Sequence, residues 1–155
     1  MAYRLYIDTS VFGALFDAED KRRVDVTQAL LRRLRHAPFA PYVGTPLLEE
    51  VSRAPEGLRA RLEHAVDALQ PTLLEEDALS LALAQAYVEG GVLLPKDRGD
   101  ARHLALASVA GLDAVVSWNF RHMVNLQKKR LVHSVNARMG YHLVDIISPL
   151  EVPDA

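Results

Sequence analysis

Four carboxylates, two of them adjacent, and an amide are spaced along the chain where they could share one task. Asp8 closes the apolar run Tyr3-Arg4-Leu5-Tyr6-Ile7 and opens the turn Asp8-Thr9-Ser10. A short aromatic and β-branched run bounded by a turn reads as a strand, so Asp8 stands at a strand's carboxyl end. Glu49 and Glu50 fall on the first turns of a helix after a second short strand. Asp100 just precedes another helix, and Asn119 follows a later strand by two residues. In an open parallel sheet, ligands gather outside the carboxyl ends of the strands. Acids brought to that edge repel one another unless a cation joins them. Hard oxygen donors select Mg²⁺ or Mn²⁺, and no thiolate competes because the chain contains no cysteine. An ion held by carboxylates keeps several waters and suits phosphoryl chemistry.

Such a site needs alternating strands and helices to position it, and the chain supplies them. Tyr3–Ile7 is followed by a short helix over Ser10–Phe16. Within Arg23–Arg35, Val26, Leu30 and Leu34 recur at helical spacing. Pro38 and Pro41 end that pattern, and Tyr42-Val43-Gly44 reads as a second strand. Thr45 is a good N-cap and Pro46 a good first residue for a helix running to about Arg53. Gly57–Leu69 and Glu75–Glu89 are helical, with Pro71–Leu74 as a short edge strand between them. Gly90-Gly91 ends the second of these helices. Gly111 ends the small-residue helix Ala101–Ala110, and Ala114–Ser117 is the strongest buried-strand signal. Leu126–Met139 makes a last helix and Leu143–Ile147 a last strand. Alternating β and α elements imply an α/β fold with a central, mainly parallel sheet covered by helices on both faces.

The 155 residues make one domain of ordinary size, half apolar and one quarter charged, as expected of a soluble globular chain. Absence of cysteine excludes disulfides, zinc–thiolate sites and a thiol nucleophile. The formal net charge of −2 gives no general attraction to nucleic acid, so any such contact would have to come from a local basic patch or from metal ions. No leader pattern opens the chain and no apolar run approaches membrane-spanning length, which makes a cytoplasmic protein with no membrane partner the expectation.

Four segments carry a resemblance. Tyr6-Ile7-Asp8-Thr9-Ser10-Val11-Phe12-Gly13, Leu47-Leu48-Glu49-Glu50-Val51, Asp100 to Ala107 and Val115 to His122 resemble the successive motifs of PIN-domain proteins, the VapC-like toxin ribonucleases among them. Order and spacing match over nearly the whole chain. The resemblance implies a three-layer α/β/α sandwich and Mg²⁺- or Mn²⁺-dependent cleavage of RNA. It also implies the toxin of a toxin–antitoxin pair, with a cognate antitoxin as partner and a homodimer. By position, Asp8 resembles the first metal-binding acid, Glu50 the second and Asp100 the third. Glu50 is preferred to Glu49 because it directly precedes an aliphatic residue, Val51. The fourth acidic position falls on Asn119, where an amide can still accept from a water but adds no charge.

Other residues have plainer readings. Asp8 and Asp100 could each cap a helix. Ser10 and Ser117 could hold the acids in place by donating hydrogen bonds. His103 and His122 read as packed histidines, Asp113 as structural at the far end of its strand, and Asp97 as a solvated loop residue. Trp118 could stack on a base, but packing on the helix that follows it is the safer expectation. The basic runs Lys21-Arg22-Arg23, Arg32-Arg33 with Arg35, and Lys128-Lys129-Arg130 suit solvated helix faces. If RNA is bound, Lys128, Lys129 and Arg130 are the first candidates. Two rival functions remain: a fold that binds RNA or a protein without cleavage, suggested by Asn119 and the acidic balance, and a phosphotransferase using Asp8 as nucleophile. Enzymes of the haloacid-dehalogenase type carry a second Asp where this chain has Ser10, which counts against the latter.

Overall fold

The computed structural model describes residues 2–154. The amino-terminal half holds β1 (Tyr3–Ile7), α1 (Thr9–Ala14), α2 (Lys21–Leu34), β2 (Phe39–Gly44), α3 (Thr45–Ser52) and α4 (Glu56–Leu69). After it come β3 (Thr72–Leu74), α5 (Ala78–Glu89), α6 (Arg98–Val109), β4 (Ala114–Val116), α7 (Leu126–Met139) and β5 (Asp145–Ile147). Single 3-10 turns at Pro95–Asp97 and Pro149–Glu151 complete the list of elements. All strand pairs are parallel, in the order β3-β2-β1-β4-β5.

Strand periodicity divides the core in two. Leu5 and Ile7 of β1 and Ala114 and Val116 of β4 pack with α1–α4 through Phe12, Leu30, Leu47 and Leu62. Tyr6 and Val115, pointing the other way, pack with α5–α7 through Leu83, Leu104 and Val132. Successive side chains of a strand face opposite sides, so a strand apolar throughout must be covered twice. The result is a three-layer α/β/α sandwich. The chain winds outward from β1 to β3, then returns to the centre at β4. That reversal opens a crevice at the carboxyl ends of β1 and β4.

Element boundaries shift by a few residues for identifiable reasons. α2 begins at Lys21 because the Asp20 side chain accepts from the Arg23 N–H. Thr45 does not cap α3; Gly44 is the flanking residue, and the Thr45 hydroxyl donates to Glu76 instead. α5 begins only at Ala78, where Asp77 and Ser80 form a reciprocal capping box. β2 extends back through Pro41, tolerated because pairing with β3 starts only at Tyr42. α6 starts two residues before Asp100, which lies within its first turn rather than ahead of it. β5 is shortened to three residues, matching the three that β4 offers.

Gly44 shows how tightly the carboxyl edge is packed. A methyl group there would overlap the Tyr6 hydroxyl and Leu106 Cδ1. Overpacking of this kind costs about 1–3 kcal/mol. Gly44→Ala is therefore expected to lower the urea midpoint of the chain, and an unchanged midpoint would contradict this packing.

Candidate active site

Asp8 lies one residue beyond β1, and its N–H still donates across the central pair to Val116 O at 3.0 Å. The residue is 3% exposed. One carboxylate oxygen, Oδ2, accepts from Ser10 Oγ at 2.7 Å and from Ser117 Oγ at 2.8 Å. A buried carboxylate needs such donors to offset its lost hydration. It does not cap α1, since no helix N–H reaches the side chain. The capping alternative for Asp8 thus fails, and the carboxylate is turned into the crevice with its orientation set by two hydroxyls.

His103 enters the same space from α6, with its ring enclosed. Nε2 lies 2.8 Å from Glu50 Oε1, 3.3 Å from Thr9 Oγ1 and 3.6 Å from Asp8 Oδ1, while Nδ1 is 2.6 Å from the Tyr6 hydroxyl. An ionised carboxylate only accepts, so Nε2 carries the proton shared with Glu50. Burial works against the charged imidazole, but the Glu50 hydrogen bond and the Asp8 and Glu50 charges outweigh it and hold His103 above its usual value. Glu50 responds in kind: burial raises it, yet the His103 hydrogen bond and charge bring its carboxyl below the usual range. The two form an ion pair beside Asp8. His103 is a packed histidine with its bonds satisfied, but its place between the acids was not apparent from its spacing to Asp100.

Asp100 approaches from the first turn of α6. Its Oδ2 accepts from Asn119 Nδ2 at 3.1 Å, and Asn119 Oδ1 in turn accepts from the His122 N–H at 3.0 Å. Burial first, and the Asp8 charge second, push the Asp100 carboxyl up to about 7. Like charges that share a site cannot all ionise cheaply. Asp97 also contributes to that rise, which corrects its reading as a solvated loop residue. The 3-10 turn folds Asp97 inward until Oδ2 is buried without a hydrogen-bond partner, 4.0 Å from His122 Nδ1.

Arg102 decides which glutamate faces the crevice. Its guanidinium donates to Glu49 Oε2 at 2.7 Å and, through Nε, to Glu76 Oε2 at 2.8 Å. Consecutive residues of α6, Arg102 and His103, therefore grip consecutive residues of α3, Glu49 and Glu50. Glu76 and Arg102 were missing from the sequence-derived site, and no local pattern marks them, because they sit 26 positions apart. Asp113 accepts from the Arg4 N–H at the opposite end of the sheet.

Trp118 packs differently from expectation. Its Nε1 donates to Thr27 Oγ1 of α2 at 2.9 Å and Arg23 lies 4.9 Å from the ring centre, so the partner is α2 and not the helix that follows. Of the basic run on α7, Lys128 Nζ donates to Val92 O and Lys129 pairs with Asp145 at 3.5 Å, which leaves Arg130 exposed. A cleft of ≈ 620 Å³ between α2 and α4 is lined by none of these acids.

Among the described residues, no three acidic or histidine side chains are disposed to close around one ion. The donor chemistry nonetheless suits a hard divalent cation. Asp8, Glu50 and Asp100 offer only carboxylate oxygens, and Asp100, raised first by burial and then by the Asp8 charge, is a carboxyl whose ionised form a cation would favour. No family model and no curated protein matches the chain. Its fold is similar to a chain in the crystal structure of VapBC2 from Rickettsia felis bound to a DNA fragment from their promoter. The TM-score is 0.56 at 9% identity, covering 94% of this chain and 98% of that one. The fold is PIN-like. A PIN-like sheet sets Asp8 on one central strand end and Ser117 and Asn119 just past the other. No helix among the described residues is long and apolar enough to cross a membrane.

Proposed function

We propose that the chain is a Mg²⁺- or Mn²⁺-dependent endoribonuclease, the toxin of a toxin–antitoxin pair. The observation that carries the reading is the convergence of Asp8, Glu50 and Asp100 on one crevice, with the Asp100 carboxyl raised to about 7 by burial and by Asp8. Asp8 and Asp100 would hold the ion directly, with Glu50 a ligand or acting through water. When bound, such an ion activates water and neutralises charge on a scissile phosphate. Ser10 and Ser117 keep Asp8 in one orientation, and Asn119 does the same for Asp100. His103 steadies Glu50 and balances part of the acidic charge. The hydroxyls that meet a base are committed to holding the site: Ser10 and Ser117 orient Asp8, and the buried Tyr6 hydroxyl meets His103 Nδ1.

Likeness to VapBC2 supports an antitoxin partner for this chain. A homodimer would draw on the exposed side of α5, which Leu79 and Leu81 flank at 57% and 50% exposure. Sedimentation of Leu81→Glu should then show a smaller species than wild type; equal sizes would remove this support.

The deciding assay is cleavage of a mixed RNA pool in Mn²⁺ and in EDTA. Cutting confined to Mn²⁺ is expected, and cutting that persists in EDTA overturns the metal dependence. Absence of cutting by folded protein in Mn²⁺ favours the second reading, binding without cleavage. That reading draws on Asn119, which adds no charge, and on the lack of three groups set around one ion.

A further inference from the structure

The rim beside Asn119 has a use that the acids do not explain. Phe120 is 46% exposed, next to the residue that holds Asp100. Its ring meets Trp118 at 6.1 Å and 67°, and Trp118 is itself pinned to Thr27. The backbone around it is tied down. Asn125 Nδ2 donates to Phe120 O at 3.0 Å and to Arg121 O at 3.1 Å, and the Phe120 N–H donates to Trp118 O at 3.0 Å. An aromatic already held in place loses little freedom when something stacks on it.

The same rim gathers cations. The Asn119–His122 loop lies against the segment that enters α6, through Asn119 on Asp100 and His122 near Asp97. Lys96 and Arg98 flank Asp97, and Arg121 lies within the loop. All three are exposed, and none forms an ion pair among the described residues. In contrast, Lys128 and Lys129 are engaged within the fold. An exposed aromatic among free cations is the composition that binds single-stranded nucleic acid, with bases on the ring and phosphates on the cations.

We propose that this rim is a subsite for one unpaired nucleotide, with the base on Phe120 and the flanking phosphates on Lys96, Arg98 and Arg121. The proposal rests on the ribonuclease reading and adds that the RNA must present an unstacked base beside the scissile phosphate. It displaces Lys128 and Lys129 as the main RNA contacts.

The test measures binding of a short single-stranded RNA carrying 2-aminopurine to the Asp8→Asn chain in Mn²⁺, and to the wild-type chain in EDTA. Fluorescence of the reporter base should be quenched on binding. Phe120→Ala should weaken binding roughly 5- to 150-fold and abolish the quench. Phe120→Leu, which keeps apolar bulk without a π face, should do the same, whereas Phe120→Tyr should restore both. Each of Lys96→Ala, Arg98→Ala and Arg121→Ala should reduce the slope of log affinity against log salt by about 0.7. Phe120→Leu that binds and quenches like its parent overturns the subsite and leaves the nuclease untouched, provided wild type still cuts RNA. Failure of the parent chains to bind RNA, together with no cutting by wild type, overturns both.

Discussion

Asp8→Asn is expected to lower RNA cleavage in Mn²⁺ by on the order of a thousandfold or more, comparable to losing a principal source of transition-state charge stabilisation. The substitution is nearly isosteric. An asparagine oxygen can still accept from Ser10 and Ser117, so the buried hydroxyls keep their partner. Its amide nitrogen would take the place of Oδ1, which lies 3.6 Å from His103 Nε2, too far for a hydrogen bond to be lost. What disappears is the charge. A cation at the crevice then loses its most deeply buried carboxylate, and the phosphate loses the cation. Single-turnover cleavage measured beside thermal unfolding separates the two effects. Cleavage within tenfold of wild type by a folded Asp8→Asn chain would defeat the assignment.

Asp100→Asn should raise the stability of the metal-free chain, and do so in a pH-dependent way. The Asp100 carboxyl sits at about 7 in the folded chain, against an ordinary 3.8. The folded state therefore binds the proton more tightly, and stability falls as pH rises from about 4 to 7. Above pH 7 the full penalty is present, on the order of 4 kcal/mol at 1.36 kcal/mol per unit. His103 moves the same way, since its raised value gives stability that is complete below about 6.5 and lost as pH climbs through the folded value. Glu50 runs opposite, with its contribution lost only as pH falls below the usual carboxylate range. An amide at position 100 removes the Asp100 penalty and leaves the other two effects in place. Urea unfolding in EDTA should show a clear gain at pH 8 and almost none at pH 4. Equal gains at both would show that ionisation of Asp100 is not the cause. Mn²⁺ should shrink the gain at pH 8 by stabilising wild type, so the acid that costs stability is the one proposed to hold the ion.

Much of this architecture was legible because it depends on local pattern. Strand ends are marked by apolar runs with turns behind them, so Asp8, Ser117 and Asn119 could be placed at one edge without knowing their contacts. Preference for Glu50 over Glu49 came from the residue beside it, while the physical reason lies in α6, where Arg102 draws Glu49 away. That reason spans 53 positions and leaves no trace in either segment. Asp97 was misjudged because a three-residue turn reverses which way a loop side chain faces. Trp118 was misassigned because its partner Thr27 is 91 residues distant. Basic runs mislead for a related reason: adjacent lysines in sequence say nothing of carbonyls and carboxylates that the fold brings to them.

The hydroxyl bridge from Ser117 to Asp8 joins residues 109 positions apart. Its consequence is one of timing during synthesis. The first acid is made at once, but the strand that completes its surroundings follows only after more than a hundred further residues. At about 5–20 residues per second, that interval is about 5–20 s. For most of it the growing chain carries Asp8 without Asp100, and for all of it without Ser117 or Asn119. The crevice around Asp8 is therefore incomplete while the chain is being made, and closes only when β4 pairs with β1.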